Sequence, residues 1–262
     1  MMKLDYISDL HLNHYVRFKN SQEKWKSETK KWAKQLLATS NSGAKYLVLA
    51  GDYSEWNRQT IWLLEEASKV YEKIMFVIGN HDYYLLSKNQ ENKYGDSIGR
   101  KEKLLEKASN ITGVIPLDKT KVTLEGKVIA GDSLWYNLTT EEFKAFYLEQ
   151  SNDSLFIKKN GCTDPLEVAK KLYKESMEWY NDLEGSRIDL MISHIPPVHP
   201  DASPFQRNQC YECEVPFLVS KNWIAGHQHI QTEFEKYGTN FYMNPLGYPS
   251  ENNKMIIKTI KI

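Results

Sequence analysis

The feature of this sequence that most limits its fold is a short apolar run that recurs along the chain and ends in polar residues. Such runs lie at 4–8, 46–50, 74–78, 188–193 and 223–225. Each has the length of a buried strand. Open α/β sheets build their functional sites just beyond the C-terminal ends of their strands. The polar residues after these runs are therefore the first candidates for a functional site.

Segments with helical periodicity lie between the runs. They are 21–38, 58–71, 99–108, 141–149 and 165–183. In the last of these, Asp164 followed by Pro165 predicts a helix N-cap with proline at the first helical position. Further strands are predicted at 127–130, 240–243 and 254–262, the last at a sheet edge. This alternation of strands and helices favours α/β layers over a helical bundle.

The organisation of the chain indicates one domain. Its 262 residues contain no repeat, no low-complexity segment and no convincing linker, so we expect a single domain over 1–262. The stretch 137–185 contains no metal-binding motif, and we expect either a helical cap over the site or an ordinary crossover. The 34 cationic and 34 acidic side chains argue against a broad nucleic-acid surface, although a short local contact stays compatible.

The remaining composition bears on location. No stretch reaches the roughly 18 apolar residues of a membrane span, and the start of the sequence lacks the features of a signal peptide. Three cysteines make a poor disulfide framework. We therefore expect a cytoplasmic protein with no membrane contact and no obligate protein partner. Cys210 and Cys213 have the spacing of a zinc half-site, but a structural site normally needs a second pair of ligands.

The polar residues that follow the runs are of kinds that bind metal ions. They are Asp9, His11, Asp52, Asn80, His194, His227 and His229. Carboxylate, amide and imidazole ligands suit Mn, Fe, Ni, Zn or Co better than a calcium or magnesium cage. Gly51 and Gly79 precede two of these residues and allow the backbone to turn tightly. Any one of these pairs has an ordinary explanation as a turn or strand end, so only the set carries the inference.

The order of the motifs resembles that of the calcineurin-like metallophosphoesterase superfamily. The motifs are Asp9-x-His11, Gly51-Asp52, Gly79-Asn80-His81-Asp82, His194 and Gly226-His227-x-His229. Together they extend from residue 9 to residue 229. The resemblance implies a four-layer αββα sandwich of two mixed β-sheets flanked by helices. It also implies metal-dependent hydrolysis of phosphoric esters by a hydroxide that two divalent or mixed-valence metal ions activate.

The resemblance implies a role for each residue. The first metal would be held by Asp9, His11 and His229, the second by Asn80, His194 and His227, and both by Asp52 as a bridge. His81 would lie near the leaving group, as a proton donor or as a hydrogen-bond donor to the phosphate. Asp82 would orient His81.

The details of two blocks bear on the substrate. Protein Ser/Thr phosphatases of this superfamily carry Gly-Asp-x-Val-Asp-Arg-Gly and Gly-Asn-His-Glu. Here the phosphate-clamping arginine of the first of these motifs is absent from its place. Arg58 is nearby but out of register. Asp82 in the other block resembles the phosphodiesterase-type members. We therefore expect a phosphodiester, with a nucleotide or short nucleic acid among the candidates. A phosphomonoesterase (a nucleotidase or protein phosphatase) and a non-catalytic metal-binding scaffold are the alternatives.

Three further residues compete for roles in this scheme. His199 is a rival for the place of His194, which we prefer because it ends an apolar run. His14 is expected at the surface or behind the ligands. Asp132 repeats the Gly-Asp pattern but is expected to be structural, because no ligand position remains for it.

Overall fold

The computed structural model describes residues 1–18, 20–201 and 208–262. The strands of this part of the chain are β1 (Lys3–Ile7), β2 (Tyr46–Ala50), β3 (Lys73–Val77), β4 (Val114–Pro116), β5 (Thr120–Leu124), β6 (Lys127–Asp132), β7 (Leu190–Ser193), β8 (Asn222–Ala225), β9 (Thr232–Lys236), β10 (Thr239–Met243) and β11 (Lys258–Lys261). They form a five-stranded sheet in the order β11-β1-β2-β3-β4 and a six-stranded sheet in the order β5-β6-β7-β8-β10-β9.

Both sheets are mixed. In the first, β1 to β4 run parallel and β11 is antiparallel to β1. In the second, β6, β7, β8 and β10 run parallel, while β5 and β9 are antiparallel edge strands. The parallel strands of each sheet therefore end at a common edge, where the residues after them can meet.

Helices flank the two sheets. They are α1 (Leu12–Tyr15), α2 (Gln22–Leu37), α3 (Asn57–Ala67), α4 (Lys88–Tyr94), α5 (Ser97–Ser109), α6 (Glu141–Gln150), α7 (Asn152–Phe156) and α8 (Pro165–Asn181). The predicted N-cap of α8 is present, since Asp164 accepts a hydrogen bond from the Leu166 amide, and Ser21 caps α2 by accepting one from the Lys24 amide. These caps satisfy backbone donors that the first helical turn leaves unpaired.

Apolar side chains pack between the sheets and on both outer faces. The inner core includes Leu4, Tyr6, Val48, Ala50, Met75 and Val77 from the first sheet and Ile129, Leu190, Ile192 and Ile224 from the second. Alternate residues of the same strands, such as Leu47 and Phe76, pack with α2, α3 and α5. On the other side, Tyr180 of α8 packs against Trp223 of β8. The predicted αββα sandwich is confirmed.

The sequence patterns located the buried elements better than the exposed ones. All five apolar runs are strands, and β2 has the predicted bounds. The predicted edge strand at 254–262 is shorter and begins at Lys258. The patterns missed α1, α4, α7, β4, β5 and β9, because each is short or has a partly exposed face that weakens the periodicity. Among the described residues, every helix is too short or too polar to cross a lipid bilayer.

The core between the sheets predicts a large loss of stability on truncation of Ile192. This side chain is fully buried in the inner core. Replacing it with alanine should lower the free energy of unfolding by about 2–5 kcal/mol, because it removes buried methyl groups and leaves a cavity. Urea unfolding followed by circular dichroism measures the change. Val70→Ala is the control, since Val70 is 59% exposed and should change stability by less than about 0.5 kcal/mol. Equal effects would contradict the described packing.

Candidate metal centre

The seven predicted ligands meet where the two sheets adjoin, at the C-terminal ends of five parallel strands. Asp9 and His11 follow β1, Asp52 follows β2, Asn80 follows β3, His194 follows β7, and His227 and His229 follow β8. The predicted ligands that follow strands of the first sheet are buried, and so is His194. The two sheets touch at this point, because Nδ1 of His194 lies 2.9 Å from the carbonyl oxygen of Ala50 at the end of β2.

Three of the ligands form a first group. Nε2 of His11 lies 3.0 Å from Nε2 of His229, and the latter nitrogen lies 3.4 Å from Oδ1 of Asp9. The donor atoms of this group all lie within 4.8 Å of one another. Two imidazole nitrogens and a carboxylate oxygen therefore point at one place, as ligands of a single ion do.

Three other ligands form a second group. Oδ1 of Asn80 lies 2.9 Å from Nε2 of His194 and 3.1 Å from Nδ1 of His227. An amide oxygen and two imidazole nitrogens again converge, which is a donor set suited to a transition-metal ion.

Asp52 lies between the two groups. Its Oδ2 is 3.4 Å from Nε2 of His194 in the second group and 3.8 Å from Nε2 of His11 in the first. Its Oδ1 accepts a hydrogen bond of 2.8 Å from the backbone amide of His81. One carboxylate thus faces both groups, as the bridging ligand of a two-metal site would.

The hydrogen bonds of the histidines fit metal binding. In three of the four histidines, the ring nitrogen that points away from the groups faces an oxygen: His194 Nδ1 the Ala50 carbonyl at 2.9 Å, His227 Nε2 the Cys210 carbonyl at 2.9 Å, and His229 Nδ1 the Glu251 carboxylate at 2.8 Å. The outer nitrogen of His11, Nδ1, is buried and has no hydrogen-bond partner in the described part of the chain. An outer N–H that donates to oxygen leaves the inner nitrogen with a free lone pair. In addition, Oδ2 of Asp9 is buried and has no hydrogen-bond partner among the described residues. The residues present therefore fit divalent metal ions.

The backbone of the centre is strained. Ten non-glycine residues in the described part of the chain have positive φ, and five of them are predicted ligands. These are Asp9 (51°), His11 (40°), Asp52 (57°), His227 (70°) and His229 (53°). Such conformations are uncommon for residues with a Cβ atom and are retained where the surrounding structure enforces them, often at functional sites. Each conformation turns the chain sharply after its strand and directs the side chain into the centre.

The two buried carboxylates of the centre carry negative charge. Burial alone would raise the pKa of Asp52, but the charges of His194 and His81 hold it well below its usual value. Burial likewise opposes ionisation of Asp9, while its hydrogen bond with His229 lowers its pKa. Burial lowers the pKa of His194, yet the charge of Asp52 raises it to about 9. A metal ion at Nε2 of His194 would take the place of the proton that this charge favours. A buried pair of carboxylates needs cations beside it, which is the role that metal ions fill.

His81 lines a cavity over the centre. Its Nδ1 is 3.2 Å from a carboxylate oxygen of Glu55, and its Nε2 is 3.2 Å from the hydroxyl of Tyr248. Burial lowers the pKa of His81, but the charges of Asp52 and Glu55 raise it above its usual value. An imidazole held by a carboxylate on one nitrogen can donate a proton from the other.

The predicted role of Asp82 is corrected. Oδ2 of Asp82 accepts hydrogen bonds of 3.0 Å from the backbone amides of Asp52 and Gly79, and Oδ1 accepts one of 3.4 Å from Tyr53. Asp82 therefore holds the loops after β2 and β3 together, and Glu55 orients His81. The prediction missed Glu55, although an acidic residue three positions after Asp52 was a signal.

A buried arginine also supports the centre. Arg100 of α5 is fully buried and donates hydrogen bonds to the backbone carbonyls of Ser54, His81 and Tyr84. It therefore fixes the loops that carry Asp52 and His81. No sequence signal marked it, because its partners are carbonyl groups. Arg58 is exposed and bonds to α2.

The competing residues lie outside the two groups. Nδ1 of His199 lies 2.8 Å from the amide nitrogen of Gln228, and His14 lies 3.8 Å from Glu55 near the surface. Asp132 accepts hydrogen bonds from Ser176 and the Leu134 amide. Cys210 and Cys213 are buried free thiols, and among the described residues neither belongs to a group of three metal-binding side chains.

The cavity over the centre has a volume of about 270 Å³. We call it the pocket. Asp52, Asn80, His81, His227 and His229 line its floor, and Tyr84, Phe146, Gln150, Ser151, Asn152, Asp153, Cys210, Tyr211, Gln228, Tyr248 and Glu251 line the rest. Helices α6 and α7 supply one wall. A substrate in the pocket would therefore contact both groups of ligands and His81.

Comparisons with known proteins agree with this geometry. A family model described as calcineurin-like phosphoesterase matches residues 2–231. The chain is 26% identical over 277 residues to an uncharacterized protein of Acanthamoeba polyphaga mimivirus, which covers 97% of this chain and 94% of the viral protein.

Two solved structures are similar over nearly the whole chain. The phosphopantetheinyl hydrolase of Mycobacterium tuberculosis has a TM-score of 0.67 and 16% identity, covering 98% of this chain and 95% of that one. A dimetal phosphatase from Danio rerio has a TM-score of 0.55 and 13% identity, covering 98% of this chain and 91% of that one. At these identities the two structures show a shared fold.

The close approach of β2 and β3 makes Gly79 a sensitive position. A Cβ atom on Gly79 would lie 2.1 Å from Oδ1 of Asp52 and 2.4 Å from its backbone nitrogen. Gly79→Ala should therefore displace Asp52 and weaken Mn²⁺ binding by at least about tenfold in isothermal titration calorimetry. The control is Gly126→Ala, which has positive φ but no neighbour within 4 Å of the added atom. It should lower stability by about 1 kcal/mol and leave Mn²⁺ binding unchanged. Wild-type affinity in Gly79→Ala would refute the account.

Proposed function

The chain belongs to the calcineurin-like phosphoesterase family, a family of metal-dependent phosphoester hydrolases, and on this basis we propose that it is a two-metal phosphodiesterase. The observation that carries the proposal is the position of Asp52, whose Oδ2 faces a histidine of each ligand group at 3.4 and 3.8 Å. One ion would be held by Asp9, His11 and His229, and the other by Asn80, His194 and His227. Asp52 would bind both ions. The mixed oxygen and nitrogen donors favour Mn, Fe, Ni, Zn or Co.

The bound ions would polarise the phosphoryl oxygens and make a water molecule acidic enough to supply the nucleophile. The chain itself positions the reacting groups. The backbone amide of His81 holds Asp52 through Oδ1, which directs Oδ2 toward both ligand groups. Helices α6 and α7 form a wall of the pocket, and we propose that this part of the 137–185 segment acts as a cap that limits the access of water.

His81 is suited to protonate the leaving group. Glu55 accepts a hydrogen bond from Nδ1 of His81, so Nε2 carries the second proton of the imidazolium on the side of Tyr248, which also lines the pocket. As the ester P–O bond breaks, that proton passes to the leaving oxygen, and the alcohol departs neutral. Tyr248 bonds to the same nitrogen and would yield this position to the leaving oxygen.

The charges of the pocket favour a diester over a monoester. Among the described residues that line it, there is no lysine or arginine. A monoester dianion benefits from such a cation, as bidentate arginine–phosphate pairs illustrate, whereas a diester carries one negative charge less. Tyr84, Phe146 and Tyr211 also line the pocket and offer apolar surface for the second ester group. A nucleotide diester or the end of a short nucleic acid would meet both conditions.

A paired substrate assay tests the preference. With Mn²⁺ present, kcat/KM for bis-p-nitrophenyl phosphate should exceed that for p-nitrophenyl phosphate by at least about tenfold (about 1.4 kcal/mol). Chelation should abolish both activities, and added Mn²⁺ should restore them. The reverse ranking would favour a phosphomonoesterase. A protein that holds two ions yet hydrolyses nothing in a broad phosphoester panel would favour the scaffold interpretation.

The role of His81 predicts a dependence on the leaving group. His81→Asn should lower kcat about 100-fold for a diester with an alkyl leaving group, which needs a proton. For bis-p-nitrophenyl phosphate the loss should be less than about tenfold, because p-nitrophenolate departs without one. Glu55→Gln should show the same pattern with smaller losses. Equal losses on both substrates would assign His81 to phosphate binding.

A further inference from the structure

We propose that Asp153 is a positioning residue for the second metal ion, because it fixes the orientation of the Asn80 side chain. This inference rests on the two-metal function proposed above. Asp153 lies on α7, in the part of the sequence that carries no metal-binding motif, and is 3% exposed. Its role would be to direct the amide oxygen of Asn80, and not the amide nitrogen, toward the ion.

The carboxylate of Asp153 meets three donors. Its Oδ1 accepts hydrogen bonds from Nδ2 of Asn80 at 2.8 Å and from the hydroxyl of Tyr84 at 2.5 Å. Its Oδ2 accepts one from the hydroxyl of Tyr136 at 2.6 Å. A buried carboxylate needs such donors, since an unpaired one would be strongly destabilising. The network therefore holds Asp153 in one orientation beside Asn80.

The chemistry of the amide explains why a carboxylate is used. An asparagine amide has an oxygen at one end and an NH₂ group at the other, and a half-turn about its last bond exchanges them. Only the oxygen can bind a metal ion. The Asp153 carboxylate accepts hydrogen bonds from two tyrosine hydroxyls and presents an oxygen to Asn80, so it selects the orientation in which Nδ2 faces Asp153. Oδ1 of Asn80 then faces His194 and His227 at 2.9 and 3.1 Å.

The position of Asp153 is itself fixed by local structure. Ser151 caps α7 and accepts a hydrogen bond from the Asp153 amide, and the Ile157 amide donates to the Asp153 carbonyl. Residues of this helix and of α6 line the pocket. The contact between Asp153 and Asn80 thus ties this wall to the second ligand group. Metal binding should reduce amide hydrogen exchange in α7 as a consequence.

Titration with Mn²⁺ by calorimetry tests the proposal without any activity assay. The wild type should bind two ions. Asp153→Asn preserves shape but offers a side chain that can present either an oxygen or an NH₂ group to Asn80. It should weaken the binding of the second ion about 10- to 100-fold, which is the range typical of residues that orient metal ligands. The affinity for the first ion should be unchanged. Metal-dependent protection of α7 against hydrogen exchange should be lost in parallel.

Asp5→Asn is the matched control. Asp5 is also a buried aspartate (1% exposed), and it accepts hydrogen bonds from the hydroxyls of Tyr71, Ser42 and Thr259. Its replacement should lower stability while both ions bind as in the wild type. A general loss of stability would affect the two variants alike, whereas a positioning role singles out the second ion in Asp153→Asn.

A compensating variant separates positioning from stability. In Asn80→Asp with Asp153→Asn, the new carboxylate at 80 offers oxygen at both ends, and the amide at 153 can donate to it. Binding of the second ion should recover to within about tenfold of the wild type. Unchanged two-ion binding in Asp153→Asn, or no recovery in the double variant, would overturn the proposal. A wild type that binds a single ion would instead overturn the two-metal function on which the proposal rests.

Discussion

The structure depends on the close contact of three strand ends, which places the carboxylate of Asp52 between two groups of predicted metal ligands. Any Cβ atom on Gly51 would lie 2.4 Å from Nδ1 of His194, and one on Gly79 would lie 2.1 Å from Oδ1 of Asp52. The two glycines therefore allow β2, β3 and β7 to approach closely enough for Asp52 to face both groups. Because β7 belongs to the other sheet, the centre exists only if the two sheets pack correctly.

The conformation of the centre is unfavourable by itself, so it depends on stability supplied by the rest of the structure. Positive φ values at the ligands are unfavourable, and burying two carboxylates beside each other is unfavourable as well. The inner core between the sheets and the outer helices supply the stability that offsets both. Asp82 accepts hydrogen bonds from backbone amides and Arg100 donates to backbone carbonyls, and these bonds fix the loops in their strained conformations. The ions would neutralise the remaining negative charge.

The sequence predicted the features of the centre that depend on neighbouring residues in the chain. It did not predict those that depend on contacts between distant segments. A buried strand followed by a polar residue is visible in a single window, so β2 and the Asp52 that follows it were found. The structure brings all seven predicted ligands together. By contrast, Asp82 was predicted to orient His81, and Glu55, whose carboxylate lies 3.2 Å from Nδ1 of His81, was missed. Which carboxylate lies beside His81 depends on how the loops after β2 and β3 fold against each other.

The role of Asp153 was invisible for the same reason. It lies 73 residues after Asn80 on a helix of five residues, and neither periodicity nor motif spacing marks such a helix. The resemblance indicated the class of reaction because the order of the motifs along the chain can be read from the sequence alone. The resemblance says less about the pocket wall that α6 and α7 form. This wall would contact the part of the substrate beyond its phosphate.

Anomalous diffraction from crystals grown with Mn²⁺ tests the central claim most directly. Data collected at the manganese absorption edge should show two peaks about 3.5–4 Å apart, with the carboxylate of Asp52 between them. The Asn80 side chain and His194 should contact one peak, and His11 should contact the other. A single peak, or two peaks that do not share Asp52, would contradict the account.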